Sequence, residues 1–175
     1  LARDQTESML LSWCLENDMP VLAVCRGFQL VNVLQGGNLV DDIHQEVPEN
    51  VGHVATVHDV DIVVPIAPGL ALQSREQVNS YHNQGVTMKT LADSLHAFAV
   101  SGDGVVEGFY MEQKPLLGIQ WHPERVGPDS LSFFMVILPG NHHGHQYAVV
   151  RYFRSVSVRS ATRSTTERLL PSTDF

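Results

Sequence analysis

One short segment constrains the fold more than any other: an apolar strand, a cysteine and then a helix. The run from Val21 to Val24 is apolar throughout, which is typical of a strand buried on both faces of a parallel sheet. Cys25 follows at once, and the pattern after it predicts a helix that ends at Gly36-Gly37. This order predicts an α/β fold with a cysteine at the carboxyl edge of the sheet.

The position of Cys25 suits a nucleophile. A helix N-terminus contributes partial positive charge, and its backbone N–H groups can bind a developing oxyanion. We therefore expect a pKa below that of a free cysteine, and strained backbone angles at a sharp turn. Such a turn needs small residues two positions away, and Ala23 and Gly27 occupy them. A structural cysteine buried at a strand end would give the same local pattern, so both interpretations stay open here.

A second motif supplies a base for this thiol. The apolar run from Leu116 to Trp121 predicts a strand, and His122-Pro123-Glu124 follows directly. Because parallel strands end along a common edge, we expect the His122 imidazole beside the Cys25 thiol. Pro123 stiffens the backbone, so that the Glu124 carboxylate can fold back onto the imidazole. The two motifs together predict a Cys-His-Glu triad.

The remaining sequence predicts one domain, residues 1–138, and an atypical tail, residues 139–175. A helix from Asp4 to Asp18 is expected to bury Met9, Leu10, Trp13 and Cys14. Further strands are predicted at 58–64, 96–100 and 105–110, a polar turn at 78–85 and a helix at 129–138. The tail is rich in Arg, Ser and Thr from Arg151 onward, so we expect it to pack poorly or to be disordered.

Composition excludes several classes of protein. The net charge is −8, and residues 151–175 carry +3, so the rest of the chain carries −11. An acidic body argues against a nucleic-acid partner. No apolar run approaches the length of a membrane span and no secretory signal pattern begins the chain, so a cytoplasmic location without membrane partners is expected. The two cysteines do not form a disulfide framework.

Two segments carry a family resemblance. Pro20 to Gln29 and Gly118 to Glu124 resemble the two signatures of class I glutamine amidotransferases. The similarity is greatest to the γ-glutamyl hydrolase branch, peptidase family C26, which includes γ-glutamyl-γ-aminobutyrate hydrolase. Arg26 after the nucleophile, the segment Gly36 to Ile43, and the segment Val78 to Gly85 favour that branch. The resemblance extends over roughly residues 1–134.

The resemblance implies a flavodoxin-like three-layer sandwich with a mostly parallel central sheet. It also implies that the fold is incomplete at its N-terminus, because the family's first strands and glycine-rich oxyanion loop would precede Leu1. Cys25 would attack a γ-glutamyl amide and form a thioester, with His122 as base and Glu124 as orienting carboxylate. The Arg26 N–H would donate to the oxyanion. With the second oxyanion donor missing, we expect weak turnover.

The family pattern also implies substrate-binding roles for Gln29 and His82, a small γ-glutamyl or glutamine substrate, and no cofactor. No metal site is expected. The histidines at 142, 143 and 145 lie among Gly and Asn without ligand spacing, and His53 and His58 are interpreted as polar loop residues. A homo-oligomer is compatible with these observations.

Two alternatives to the hydrolase stay open. One is a glutaminase subunit that delivers ammonia to a synthase partner. The other is an inactive, truncated fragment that keeps the triad residues. The sequence does not identify the leaving amine.

Overall fold

The computed structural model describes residues 2–63 and 74–125, together with the backbone of residues 132–138 and 146–152. The elements are α1 (Ala2–Glu16), β1 (Val21–Val24), α2 (Arg26–Leu34), α3 (Ile43–Glu46), β2 (Thr56–Ile62), β3 (Arg75–Ser80), β4 (His96–Ser101), β5 (Val106–Met111), β6 (Leu116–Ile119), β7 (Ser132–Leu138) and β8 (Gln146–Tyr152). Within this part of the chain, no helix has both the length and the apolar character needed to cross a bilayer.

The α/β class is confirmed, and six strands form a mixed sheet in the order β1-β6-β5-β4-β2-β3. The parallel arrangement occurs where the two motifs meet: β1 and β6 run parallel, with Val24 opposite Ile119. Every other pairing within this sheet, as far as the structure describes it, is antiparallel, so these six strands form a mixed sheet and not the mostly parallel one that the resemblance implies. All four residues of β6 are buried, as expected for a strand covered on both faces.

Helix α2 packs closely on the sheet because β6 carries a glycine beneath it. The ring of Phe28 on α2 stacks on Phe109 of β5, with centroids 4.2 Å apart. A Cβ atom at Gly118 would lie 2.5 Å from the Phe109 ring and 2.9 Å from Phe28. Both rings are fully buried. Because Gly118 has no side chain, α2 can pack this close to the sheet, and that distance determines the position of Cys25.

A buried amide fixes the other end of α2. The Asn32 Nδ2 donates to the carbonyl oxygens of Asn38 and Thr90 at 2.8 and 3.0 Å, and its Oδ1 accepts from the Ala92 N–H at 2.8 Å. The side chain is inaccessible to solvent. A buried amide with its partners satisfied holds the helix to the segment that follows β3.

The predicted apolar face of α1 is wrong. Met9, Leu10 and Trp13 are exposed, at 74%, 61% and 53% of their surface. Leu11 and Leu15 face the core instead. The apolar residues of α1 surround the helix rather than marking one stripe, so their spacing did not identify the buried side.

Two further predictions differ from the structure. Val78 to Ser80 belong to β3 and pair with β2, so the polar turn begins only at Tyr81. The predicted helix at 129–138 is instead strand β7, which pairs with β8 from within the predicted tail. Residues 132–138 are dominated by aromatic and β-branched types, which favour a strand over a helix. The boundary at residue 138 stays a prediction.

We expect Gly118→Ala to lower the free energy of unfolding by about 1–3 kcal/mol, because the added methyl group overpacks the Phe28–Phe109 contact. Gly102→Ala is the matched control, since its Cβ would lie 3.7 Å from Val51, an ordinary contact. Urea unfolding followed by circular dichroism measures both variants. Equal stabilities would show that α2 does not depend on the glycine.

Candidate active site

Cys25 forms the strained elbow that the sequence predicted. Its φ and ψ are 49° and −103°, a positive φ at a residue other than glycine. Its N–H donates to the Ile119 carbonyl at 2.9 Å, which continues the β1–β6 ladder by one residue. Its own carbonyl accepts the Gln29 N–H at 3.1 Å and so begins α2. The backbone on both sides fixes this conformation, as a strained residue requires.

The His122–Glu124 pair forms just beyond β6. The Nδ1 of His122 lies 2.6 Å from the Glu124 Oε1, so Nδ1–H donates to the carboxylate and Nε2 is left as the basic nitrogen. Burial would raise the pKa of Glu124, but the hydrogen bond from His122 outweighs it and lowers that pKa. The carboxylate is thus ionised while it orients the imidazole.

The backbone of this turn is held by Asn79 on β3. The Asn79 Oδ1 accepts the His122 N–H at 2.9 Å. Its Nδ2 donates to the carbonyl oxygens of His122 and Arg125, at 2.8 and 3.0 Å. One amide therefore holds both ends of the His-Pro-Glu turn and fixes where the imidazole lies.

Gln120 connects the thiol to α2. Its side chain is fully buried, with Nε2 3.6 Å from the Cys25 Sγ. The Gln29 Nε2 donates to the Gln120 Oε1 at 3.2 Å and to the Gln84 carbonyl at 2.8 Å. Gln29, which is predicted to bind substrate, is therefore linked to Cys25 through the Gln120 side chain.

A cleft of about 500 Å³ opens beside Cys25. Its lining includes Arg26, Gln29, Tyr81 and His82. The Tyr81 ring meets the His122 ring edge-on, with centroids 5.9 Å apart. The cleft therefore joins the thiol to the neighbourhood of the imidazole, and its volume suits a small molecule.

The positive charge of the Arg26 side chain, which lines this cleft, is paired. Its guanidinium forms ion pairs with Asp4 and Glu7 of α1. Its backbone N–H faces the Cys25 sulfur and favours the thiolate. The side chain thus joins α1 to α2, while the oxyanion role of the N–H stays a prediction.

A second group of titratable residues lies in the interior. His53, His58, His82 and Glu107 are all buried and converge on one point. The interpretation of His53 and His58 as polar loop residues is therefore wrong. His82 lines the cleft, but both of its ring nitrogens face protein groups, the Gln84 carbonyl at 2.9 Å and the Glu107 carboxylate at 3.4 Å.

The charged residues of this buried cluster shift one another's pKa values. Burial lowers the pKa of His53, but the neighbouring carboxylates of Asp103 and Glu107 outweigh it and raise that pKa to about 9. Burial raises the pKa of Glu107, and the three neighbouring imidazoles lower it well below its usual range. Histidines 142, 143 and 145 lie outside the described residues.

The family model of peptidase C26 matches residues 1–124. The chain belongs to the peptidase C26 family. It is 41% identical over 133 residues to Protein NtpR of Enterococcus hirae, covering 71% of this chain and 55% of that protein. It is 32% identical over 138 residues to γ-glutamyl-γ-aminobutyrate hydrolase PuuD of Escherichia coli K12, covering 70% and 52%. The chain thus spans about half the length of the curated relatives it matches.

Solved structures confirm the fold of this C26 chain. A glutamine amidotransferase of Thermotoga maritima superposes with a TM-score of 0.59 at 20% identity, covering 71% of this chain and 48% of that one. A glutamine amido transferase of Methylobacillus flagellatus superposes with a TM-score of 0.53 at 16% identity, covering 70% and 45%. The predicted class I glutamine amidotransferase-like, flavodoxin-like fold is confirmed.

Sequence reasoning missed several residues of the C26 site. Asn79 and Tyr81 lie in the polar segment 78–85, whose composition marked a turn but not its contacts. Gln120 is a polar residue inside an apolar strand run, which was a signal that its side chain meets a buried partner. The buried cluster joins residues spread between positions 53 and 107, and no local pattern reports that convergence.

The expected lowering of the Cys25 pKa is wrong for this structure. Burial raises the pKa of the thiol above its ordinary value and outweighs the lowering by the Arg26 N–H and the Arg125 charge. The carboxylates of Glu124 and Glu107 raise it further. The thiol of the free C26 protein is therefore protonated at neutral pH.

We predict that the rate of Cys25 alkylation rises with pH to a midpoint above the roughly 8.5 of a free cysteine. The Cys14→Ser variant isolates this thiol, because the chain has two cysteines. Iodoacetamide labelling between pH 6 and 10, followed by mass spectrometry, measures the midpoint against N-acetylcysteine. A midpoint below that of the reference would mean that the helix N-terminus outweighs burial.

Proposed function

We propose that this chain carries out the cysteine-dependent hydrolysis of γ-glutamyl amides. Cys25 is the nucleophile, His122 the general base and Glu124 the orienting carboxylate. The observation that carries the proposal is the parallel pairing of β1 with β6, which ends both motifs on one edge. The hydrogen bond from His122 Nδ1 to Glu124 supports it, since Nε2 is then available to take a proton.

The reaction proceeds through a thioester. As the Cys25 Sγ attacks the γ-carbonyl carbon, its proton passes to the His122 Nε2, and the oxyanion accepts the Arg26 N–H. Collapse of the tetrahedral intermediate breaks the C–N bond, and His122 returns the proton to the leaving amine. Water then attacks the thioester and gives its proton to His122. The free glutamyl carboxylic acid leaves, and the thiol is restored.

A protonated resting thiol fits this sequence of steps. Because burial raises the Cys25 pKa, the thiolate forms when the base removes the proton as substrate reacts. Glu124 stabilises the imidazolium produced at that moment. The triad members therefore act together, and each is required for acylation.

The cleft favours a small polar substrate. Gln29 and His82 border it beside Cys25. We assign Gln29 to the glutamyl end of the substrate and His82 to the wall that shapes the cleft, because both ring nitrogens of His82 face protein groups. The similarity to γ-glutamyl-γ-aminobutyrate hydrolase supports that compound as the first substrate to test. Both cysteines are free thiols, which suits the reducing cytoplasm.

We expect purified protein to release glutamate from γ-glutamyl-γ-aminobutyrate, measured with a coupled glutamate dehydrogenase assay. Cys25→Ala should abolish release, and His122→Ala should slow it by about 10²–10⁴-fold, because general base catalysis is lost. Cys14→Ala is the matched control and should retain full activity. An unchanged rate in Cys25→Ala would exclude the thioester route.

The same assay separates the two enzymatic alternatives. Preference for γ-glutamyl-γ-aminobutyrate over glutamine supports the hydrolase. Activity on glutamine that appears only when a synthase is added would instead identify an ammonia-delivering subunit.

Asn79→Ala should lower kcat by roughly 10²-fold with KM little changed, because a displaced His122 loses alignment while the cleft keeps its shape. Asn17→Ala, an exposed change at the end of α1, serves as the control. Initial-rate kinetics on the same substrate give both constants. A raised KM with unchanged kcat would assign Asn79 to binding and not to the orientation of the base.

A further inference from the structure

The buried cluster gathers side chains from four separate places in the chain. His53 precedes β2, His58 lies on β2, His82 follows β3 and Glu107 lies on β5. Their exposed fractions are 4%, 6%, 6% and 0%. One donor atom from each lies within 4.8 Å of all the others. None of these residues takes part in the proposed cysteine chemistry.

Each imidazole of the cluster is oriented by a protein acceptor on its outer side. The contacts are His53 Nε2 to Asp103 Oδ2 at 2.9 Å, His58 Nδ1 to the Asp59 carbonyl at 3.3 Å and His82 Nδ1 to the Gln84 carbonyl at 2.9 Å. A ring N–H held by a carboxylate or carbonyl fixes the orientation of the imidazole, so that its other nitrogen can act as the metal ligand. All three free nitrogens face inward.

The inward atoms have no hydrogen-bond partners among the described residues. The three free nitrogens lie 3.2, 3.4 and 3.4 Å from the Glu107 Oε1, but without hydrogen-bond geometry. Both carboxylate oxygens of Glu107 are also buried and unpartnered. Orphaned buried polar atoms are rare in proteins, and an ion is one of the causes that account for them.

We propose that His53, His58, His82 and Glu107 bind a divalent transition-metal ion, with zinc as the best fit. Three imidazoles and a carboxylate are zinc ligands, at about 2.0–2.2 Å in tetrahedral geometry. A tetrahedron of that size has edges of about 3.3–3.6 Å. The separations of 3.2–3.4 Å between the three nitrogens and the Glu107 oxygen are close to three of those edges.

Charge balance supports a divalent cation. The side chains of Asp103 and Glu107 are both fully buried, so two negative charges lie close together away from solvent. One divalent ion at the centre of the cluster neutralises both.

The site is structural, because four protein ligands complete the tetrahedron. It joins β2, the end of β3 and β5 at one point behind the cleft. His82 belongs to both the cluster and the cleft wall, so the ion would fix that wall from the interior. Zinc binding and γ-glutamyl hydrolysis are therefore separable properties of the same protein.

The test measures zinc retention by the whole chain. After dialysis against a chelator, one equivalent of zinc chloride is added, and bound metal is measured by mass spectrometry after gel filtration. We expect one zinc per chain in the wild type and in Cys25→Ala. Zinc-edge X-ray absorption of the wild type should show nitrogen and oxygen ligands at about 2.0–2.1 Å and no sulfur at about 2.3 Å.

Variants assign the ligands. Asp103→Asn should weaken zinc affinity by about 10–100-fold, because His53 loses its outer partner. Glu107→Gln should weaken it more, because a ligand charge is lost. His96→Asn, on β4 and outside the cluster, is the matched control and should bind as the wild type does. Circular dichroism identifies any variant that does not fold. If a variant does not fold, the zinc-edge X-ray absorption spectrum of the wild type shows whether the ligands are nitrogen and oxygen.

Two results would overturn the proposal. One is a folded wild type that retains no zinc and whose histidine NMR signals show imidazolium rings unaffected by added zinc. The other is zinc bound through sulfur and lost in Cys25→Ala, which would place the metal at the thiol. Neither result depends on whether the protein hydrolyses γ-glutamyl amides.

Discussion

The parallel ladder between β1 and β6 is the interaction on which the candidate site depends. It extends one residue past the strands, where the Cys25 N–H donates to the Ile119 carbonyl at 2.9 Å. That bond holds the cysteine in its positive-φ conformation and sets the direction in which α2 begins. Because the His-Pro-Glu turn starts only three residues after Ile119, the same bond also sets the spacing between the two motifs.

The buried carboxylates of the interior carry a desolvation cost. Asp103 and Glu107 are buried carboxylates four residues apart in sequence, and removing such charges from water costs several kcal/mol for each ion. Surrounding histidines reduce that cost, as the raised pKa of His53 shows. The cluster joins β2, the end of β3 and β5, so whatever balances its charge also determines how firmly β2 and β3 hold to β5.

Local sequence was sufficient where local chemistry decided the structure. The all-apolar Val21 to Val24 run, the helix after Cys25 and the strand before His122 were predicted with nearly their observed bounds. The burial expected on both faces holds for β6 but not for β1, where Leu22 is exposed. The strand at Ser132 was predicted as a helix, although its aromatic and β-branched residues favour a strand. The face of α1 and the roles of Asn79 and Gln120 were not predicted, because they depend on partners elsewhere in the chain that no local period encodes.

The protonated state of Cys25 determines how readily its sulfur is oxidised. Peroxides attack the thiolate, and oxidation beyond the sulfenic acid is irreversible for most cysteines. A thiol whose pKa is raised by burial presents little thiolate at neutral pH. Burial therefore protects the sulfur from chemical damage, and under the proposed mechanism the reactive form exists mainly while a substrate occupies the cleft.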